Sequence, residues 1–368
     1  MKKRLVCLVM ALVMVLTLVA CGSSTGSTAP AASASAPAAP AEAAPAEAAP
    51  SNGSATTVKI ICPYGAGGIA DLVGRKYAEV ANKVQSDYTF VVENLTGGDG
   101  FAANTFFSEE DPNTKDLLVI GYGACYRHDG GKKYGTEEVD FDIDKNVPFA
   151  TIDDRTWILY AKPGTTLADV LAQAQGGVVK MSGGNPLSDP HLALGILVNS
   201  EGGKVQVVPY DGGAEQRKGL TDGEVDVFVG GVLAGASDVE AGNIVPILAF
   251  SDKPFEGFVG PDGPITVPCV AGEGKAPELN PDNDYTPCIL PAGGGLATHQ
   301  GCDEAFRNDM IEIAKLVWAS EDYAGWITSP AVLLNNFQLY GDECVDFYNN
   351  VARVKGLAAY DILVGGAA

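Results

Sequence analysis

The amino-acid sequence predicts an α/β protein of two domains, each an open β-sheet flanked by helices, with a ligand cleft between them. Three observations lead there. Short apolar runs of strand length alternate with helical stretches in two successive series, one from Val58 and one from Trp157. The runs end in glycines and small polar residues instead of closing apolar turns. A leader and a low-complexity stretch come before both series, leaving residues 56–368, enough for two domains of ordinary size.

Taken in order, the chain opens with Lys2, Lys3 and Arg4 and an apolar run over 5–20 that ends Leu18-Val19-Ala20-Cys21, the pattern of a signal peptide. The run is short for a membrane span, and the junction resembles a bacterial lipoprotein signal with Cys21 as the acylated first mature residue. A plain cleaved signal with an incidental cysteine is the alternative. Residues 22–55 are nearly all Ala, Pro, Ser, Gly and Glu, with nothing bulky to bury, and read as an extended tether. The first series follows as a strand in VKIICP, a helix over 71–84 with Leu72, Tyr77, Val80 and Val84 roughly on one face, a strand in YTFVVEN, a short helix in FAANTFFSEE and a strand in DLLVIGYG. The second series runs from a strand at 157–161 through a helix at 167–175, introduced by Thr166 and Asp169, to strands in VVKMSG, VQVVPY, VDVFVGG and IVPILAF with helices between. β-α-β connections of this kind predict open parallel sheets with ligand groups at the carboxyl ends of the strands. Residues 251–303 read as irregular, and 304–320 and 341–356 as helices. Free, that tail would expose Trp318, Tyr323, Trp326, Phe337 and Tyr340, so it is expected to fold back onto the first domain. The expected organisation is a leader at 1–20, an acylated cysteine and tether at 21–55, a first domain begun at 56–153, a second at 154–265, and a return to the first at 266–368.

Charge and cysteines exclude several functions. The formal net charge is -22, and residues 1–20 contribute three basic residues and no acid, so the mature chain is more acidic still and nucleic acid is a poor partner. Cys62, Cys125, Cys269, Cys288, Cys302 and Cys344 form no C-x-x-C pattern, and no zinc or other metal site is expected. In an exported chain they permit disulfides, with Cys269–Cys288 and Cys302–Cys344 as the expected pairs and free buried thiols as the alternative.

The chemistry gathers at the strand ends: residues 63–71, 94–100, 121–125, 182–191, 209–215 and 230–235. Glycines this dense let backbone approach a ligand and turn successive N–H groups one way, and a following helix N-terminus adds partial positive charge. Gly65, Gly67 and Ala70 satisfy G-x-G-x-x-A, with Glu93 placed as a ribose-binding acid would be, but an exported chain lacks a nicotinamide cofactor. A hydrolase would draw on Ser182, Ser188, Asp189, His191, Asp71 or Asp211. Ser188 and His191 lie three residues apart at a helix start, without the G-x-S-x-G elbow, and His191 reads first as a loop-fixing residue. Asp71 either meets the ligand or holds its own loop by accepting N–H groups. A structural or adhesive surface protein would not need six such strand ends.

VKIICPYGAGGIAD, VVENLTGGDGFAAN, SGGNPLSDPHLA, VPYDGGAE and GEVDVF, in that order over roughly 57–345, resemble the extracytoplasmic solute-binding receptors of tripartite tricarboxylate transporters. The resemblance implies a periplasmic-binding-protein-like fold of the second type, closing on a small organic solute, usually a carboxylate, with no cofactor and no enzymatic activity. It implies a monomer that works with integral membrane permease subunits and meets the membrane through its lipid anchor alone. Carried over, the ligand residues are Tyr64, Gly65, Ala66, Gly67, Gly68 and Asp71, then Thr96, Gly97, Gly98 and Asp99, then Ser182, Asn185, Ser188 and His191, with Tyr210 and Asp211 on the far wall. The second loop departs from the family's Arg-Pro-Gly-Ala-Gly-Gly, reading Leu95-Thr96-Gly97-Gly98-Asp99-Gly100. With that extra acid, a neutral or amine-bearing solute stays open beside a carboxylate met by backbone dipoles and Arg127.

Overall fold

The computed structural model describes residues 55–210 and 212–366, so the leader, the tether with Cys21, and Asp211 lie outside the described residues. In the first lobe β1 (Thr56–Cys62), α1 (Ile69–Val84), β2 (Tyr88–Asn94), α2 (Phe101–Glu109), β3 (Leu117–Gly121), α3 (Gly123–Tyr134) and β4 (Asn146–Asp154) follow one another. The chain crosses at residues 155–157 into a second lobe of β5 (Ile158–Ala161), α4 (Leu167–Gly176), β6 (Val178–Gly183), α5 (Asp189–Ser200), β7 (Lys204–Pro209), α6 (Gly213–Asp222), β8 (Val227–Gly230), α7 (Val232–Glu240) and β9 (Val245–Ala249). A hairpin of β10 (Phe255–Gly260) and β11 (Gly263–Val267) comes next. Then β12 (Gly293–His299) returns to the first sheet, followed by α8 (Glu304–Ala319), α9 (Glu321–Ile327), α10 (Gly341–Asp346), a π-helical turn over Phe347–Ala352, and α11 (Arg353–Leu363).

Both five-stranded sheets share one plan. The first has the order β2-β1-β3-β12-β4 and the second β7-β6-β8-β5-β9. In each, three strands are parallel, as the β-α-β pattern predicts, but the fourth runs antiparallel: β12 to β3 and β4, and β5 to β8 and β9. The sheets are therefore mixed. A strand arriving from the other lobe enters without a crossover helix, so nothing obliges it to run parallel. Both faces of each sheet are buried at its centre, which explains why β3 and β8 are apolar throughout rather than alternating.

Several local expectations need correction. On α1 the buried stripe is Val73, Tyr77, Val80 and Ala81, while Leu72 is 38% exposed and lies at the rim of the cleft. Residues 251–303 are irregular only in part, chiefly over 268–292. They hold the β10–β11 hairpin, turning at Pro261 and Asp262 into Gly263 with φ +120°, and β12, whose GGG start has little strand propensity. A Cβ on Gly294 would lie 2.7 Å from the Ile120 carbonyl oxygen, so glycine is needed there for close strand approach. The return to the first lobe comes at β12 and not at 266, because Val270, Ala276, Leu279, Tyr285, Cys288 and Leu290 pack in the second lobe's core. Trp318 and Tyr323 are buried on the first lobe, whereas Ala359 and Tyr360 of α11 join the second lobe's core beside Tyr126 of α3. No disulfide joins Cys269 to Cys288 or Cys302 to Cys344; the six core cysteines are free thiols. Cys269 donates instead to the carbonyls of Ala271 at 2.9 Å and Glu273 at 3.3 Å. Among the described residues no helix is long and apolar enough to cross a membrane.

Candidate functional site

The strand ends of the two sheets face one another across a cavity of about 810 Å³. The structure brings Tyr64, Gly65, Ala66, Gly67 and Gly68 to one wall of it, with Thr96, Gly97, Gly98 and Asp99 alongside. Ser182, Asn185, Ser188 and Tyr210 approach from the second lobe. Contacts cross the cleft. An added Cβ on Gly184 of the second lobe would lie 2.9 Å from Asp99 Oδ1 of the first, and one on Gly231 would meet Ile69 at 3.4 Å.

Asp71 and His191 do not line the cavity, and each has a structural role. Asp71 is 1% exposed and accepts from the Gly67 N–H at 2.9 Å, Arg75 Nε at 2.9 Å and Asn94 Nδ2 at 2.8 Å. Burial pushes its carboxyl up, but these hydrogen bonds outweigh it and hold the group below the usual carboxylate range. Asp71 thus ties the glycine loop (Gly67 φ +78°) to β2, and the Gly67 N–H is already taken rather than offered to ligand. His191 Nδ1 accepts from the Leu187 N–H at 2.7 Å, holding Leu187 at φ +67°. Burial lowers its pKa to about 4, so the ring stays neutral while Nδ1 serves the loop, which removes the base a Ser188 hydrolase would use. Glu93 lies 3.9 Å from Lys59 and is not among the residues that line the cavity with the glycines, which argues against a ribose-binding acid of the dinucleotide pattern. Among the described residues no group of His, Cys, Asp or Glu is placed to hold a metal ion.

Sequence reasoning missed the crossing between lobes. Asp153, Arg155 and Trp157 line the cavity there, where the run Asp153-Asp154-Arg155 ahead of an apolar strand was a signal that polar groups enter a buried region. Arg155 is ion-paired with Asp153, stacks over the Trp157 ring at 5.5 Å, and is lowered to about 10 by burial. Arg127 is 4% exposed and shared between Asp99 at 3.1 Å and Glu137 at 3.1 Å. Asp189 opens α5 against the first residue of α3, where a Cβ on Gly123 would run into its carboxylate.

Two features say what the cavity can take. Arg127 Nε, Trp157 Nε1 and Ser182 Oγ are buried at the cavity without a protein hydrogen-bond partner. An unpaired buried donor costs about 1–3 kcal/mol, so such groups persist where something else satisfies them. Six helices, α1, α2, α3, α5, α6 and α7, present their first turns to the cavity, and at none does a side chain cap the N-terminal N–H groups. Away from it, Thr166, Asp303 and Ser320 cap α4, α8 and α9 through their side chains. Of the three described non-glycine residues with positive φ, Asp99 and Leu187 both stand in cleft loops, held there by Arg127 and His191. The arrangement turns buried donors and open helix ends towards the cavity, groups whose chemistry suits an anion.

No family model matches the chain. A UPF0065 protein from the gbd 5′ region of Cupriavidus necator is 25% identical over 198 residues, 53% of this chain and 59% of that protein, so the chain spans little more than half of that relative's length. MatC of Rhodopseudomonas palustris, solved with bound malate, superposes with a TM-score of 0.65 at 17% identity, over 84% of this chain and 99% of that one. A TctC solute-binding protein from Polaromonas gives 0.55 at 19% identity, over 85% and 99%. This chain has the fold of the TctC-type solute-binding proteins. Within that fold the loops after β1, β2 and β6 and the crossing at 155–157 frame the cavity, which is where strand carboxyl ends of open α/β sheets receive ligands.

Proposed function

We propose that the chain is an extracytoplasmic solute-binding receptor, not an enzyme, that takes a small organic carboxylate into the cleft and delivers it to membrane permease subunits of the tripartite tricarboxylate type. The observation that carries this reading is the set of three buried donors at the cavity, Arg127 Nε, Trp157 Nε1 and Ser182 Oγ, left without protein partners. A carboxylate satisfies several donors at once, and the uncapped helix ends around it favour negative charge. The malate held by MatC, which shares this fold, supports the same class of solute. Mass spectrometry of the small molecules released on denaturing the freshly purified protein tests the reading. A stoichiometric carboxylic acid is the expected result, and a released solute without a carboxyl group overturns it. The leader motif supports attachment through lipidated Cys21, which keeps the receptor at the outer face of the cell membrane by its acyl chains. Cys21→Ser is expected to release folded protein into the soluble fraction; a variant still firmly in membranes with its leader cleaved would refute the anchor.

A further inference from the structure

The ion pairs around the cavity leave two lining carboxylates over, the exposed Glu215 and Asp189, since Arg217 is taken by Asp238 at 3.2 Å. Arg155 is committed to Asp153, and Arg127 is divided between Asp99 and Glu137. Asp189 lines the same cavity, yet both arginines act on it only from beyond ion-pair distance. Burial pushes its carboxyl up against the pull of the Tyr126 hydroxyl and Arg127, and burial likewise raises Asp99 and Glu137. The lining carries four carboxylates, Asp99, Asp153, Asp189 and Glu215, against three arginines, Arg127, Arg155 and Arg217, and burial makes further negative charge beside Asp99 and Asp189 costly. A solute bringing two more carboxylates would add repulsion at low dielectric, whereas one bringing a carboxylate and an ammonium group adds no net charge.

The opposite requirement stands in the same cavity. Ser182 is fully buried, Arg127 is 4% exposed and Trp157 9% exposed, and each holds an unpartnered donor there. We infer that the solute is an aminocarboxylate, its carboxylate received by the free donors of Arg127, Trp157 and Ser182 and its ammonium group by Asp189. This rests on the carboxylate reading above and narrows it. Gly123 is part of the design, because only a residue without Cβ lets the Asp189 carboxylate of one lobe lie against the start of α3 in the other.

Isothermal titration of the purified protein with glutarate, L-glutamate and 4-aminobutyrate, and with succinate and L-aspartate, tests it. An aminocarboxylate should bind about tenfold or more tighter than the diacid of the same skeleton, as expected for a charge-assisted hydrogen bond in a buried site. Asp189→Asn should reverse the order, weakening the aminocarboxylate about tenfold and strengthening the diacid by removing a repulsive charge. The gain for the diacid also shows that the variant folds, and Asp189→Ser repeats the comparison without the amide. A diacid that binds the wild type more tightly than its amino counterpart, or aminocarboxylate affinity unchanged in both variants, overturns the inference and leaves the carboxylate reading standing. Failure of every acid in the set, amine-bearing or not, overturns that reading and the inference with it.

Discussion

Ser182 sits at the end of β6, fully buried, with a hydroxyl that no protein group satisfies. Stability and binding therefore make opposite demands on it. Ser182→Ala removes an unsatisfied buried group, so the empty protein should gain about 1 kcal/mol, while the occupied site loses a donor and affinity should fall about fivefold. Denaturant unfolding and titration read the two effects separately, and a less stable variant would mean that the hydroxyl has an internal partner. His191 contributes through its pKa of about 4, against an ordinary value of 6.5. Between these values the unfolded chain binds the proton and the folded one does not. Its contribution is thus full above pH 6.5 and is lost as pH falls towards 4, a swing on the order of 3 kcal/mol. Asp154, raised to about 6 by burial, works in the opposite sense over much of the same window, so the measurable quantity is a difference. His191→Gln, which can still accept from Leu187, should lose less stability than the wild type between pH 6.5 and 4. Parallel losses in both proteins would show that His191 does not titrate this way.

At the level of elements, the helices divide by where they begin. Those starting at the cleft rely on glycine or on bare backbone at the cap, whereas α4, α8 and α9, which start elsewhere, carry Thr, Asp and Ser caps; α10 and α11 also start away from the cleft and have none. A side-chain cap would fill the N–H groups that an anion needs, so the cleft helices give up local stability for an open binding end. α3 tests this division. Gly123→Ala should favour the helix itself by up to about 1 kcal/mol, yet its Cβ displaces the Asp189 carboxylate and hinders closure. The expected outcome is a melting temperature held or raised, with solute affinity down about tenfold. Affinity at the wild-type level would show that Asp189 need not lie against α3.

For the molecule as a whole, two mixed sheets are joined by crossing segments, by α11, and by contacts between the lobes such as Asp99 with Gly184, Ile69 with Gly231 and Leu333 with Gly257. Neither lobe alone can surround a solute, so binding is expected to draw them together. Small-angle scattering should give a smaller radius of gyration with saturating solute than without it, and an unchanged radius would mean that the cavity is closed before the solute arrives. α11 is placed to follow that motion, since it packs on α3 of one lobe and α5 of the other with glycines at the tightest points. A Cβ on Gly130 would meet the Tyr360 ring at 2.6 Å.

The sequence by itself determined the strand–helix alternation and most of the strand-end loop residues that reach the cavity. Both follow from local rules: apolar runs of strand length, helical periodicity, and glycines where backbone must turn or come close. Even the missed hairpin was legible in Gly260-Pro261-Asp262-Gly263 between two β-forming runs. What only the tertiary structure decided depends on residues far apart in the chain. β12 is a strand because β3 and β4 flank it, despite its glycines. Asp71 and Asp189 look alike in sequence, each an acid in the first turn of a helix after a glycine-rich loop. Arg75 and Asn94 claim the first for structure, while the second is left facing the cavity because the arginines that share it are already paired. Partner and burial, not residue type, separate the two roles, and both are properties of the folded arrangement.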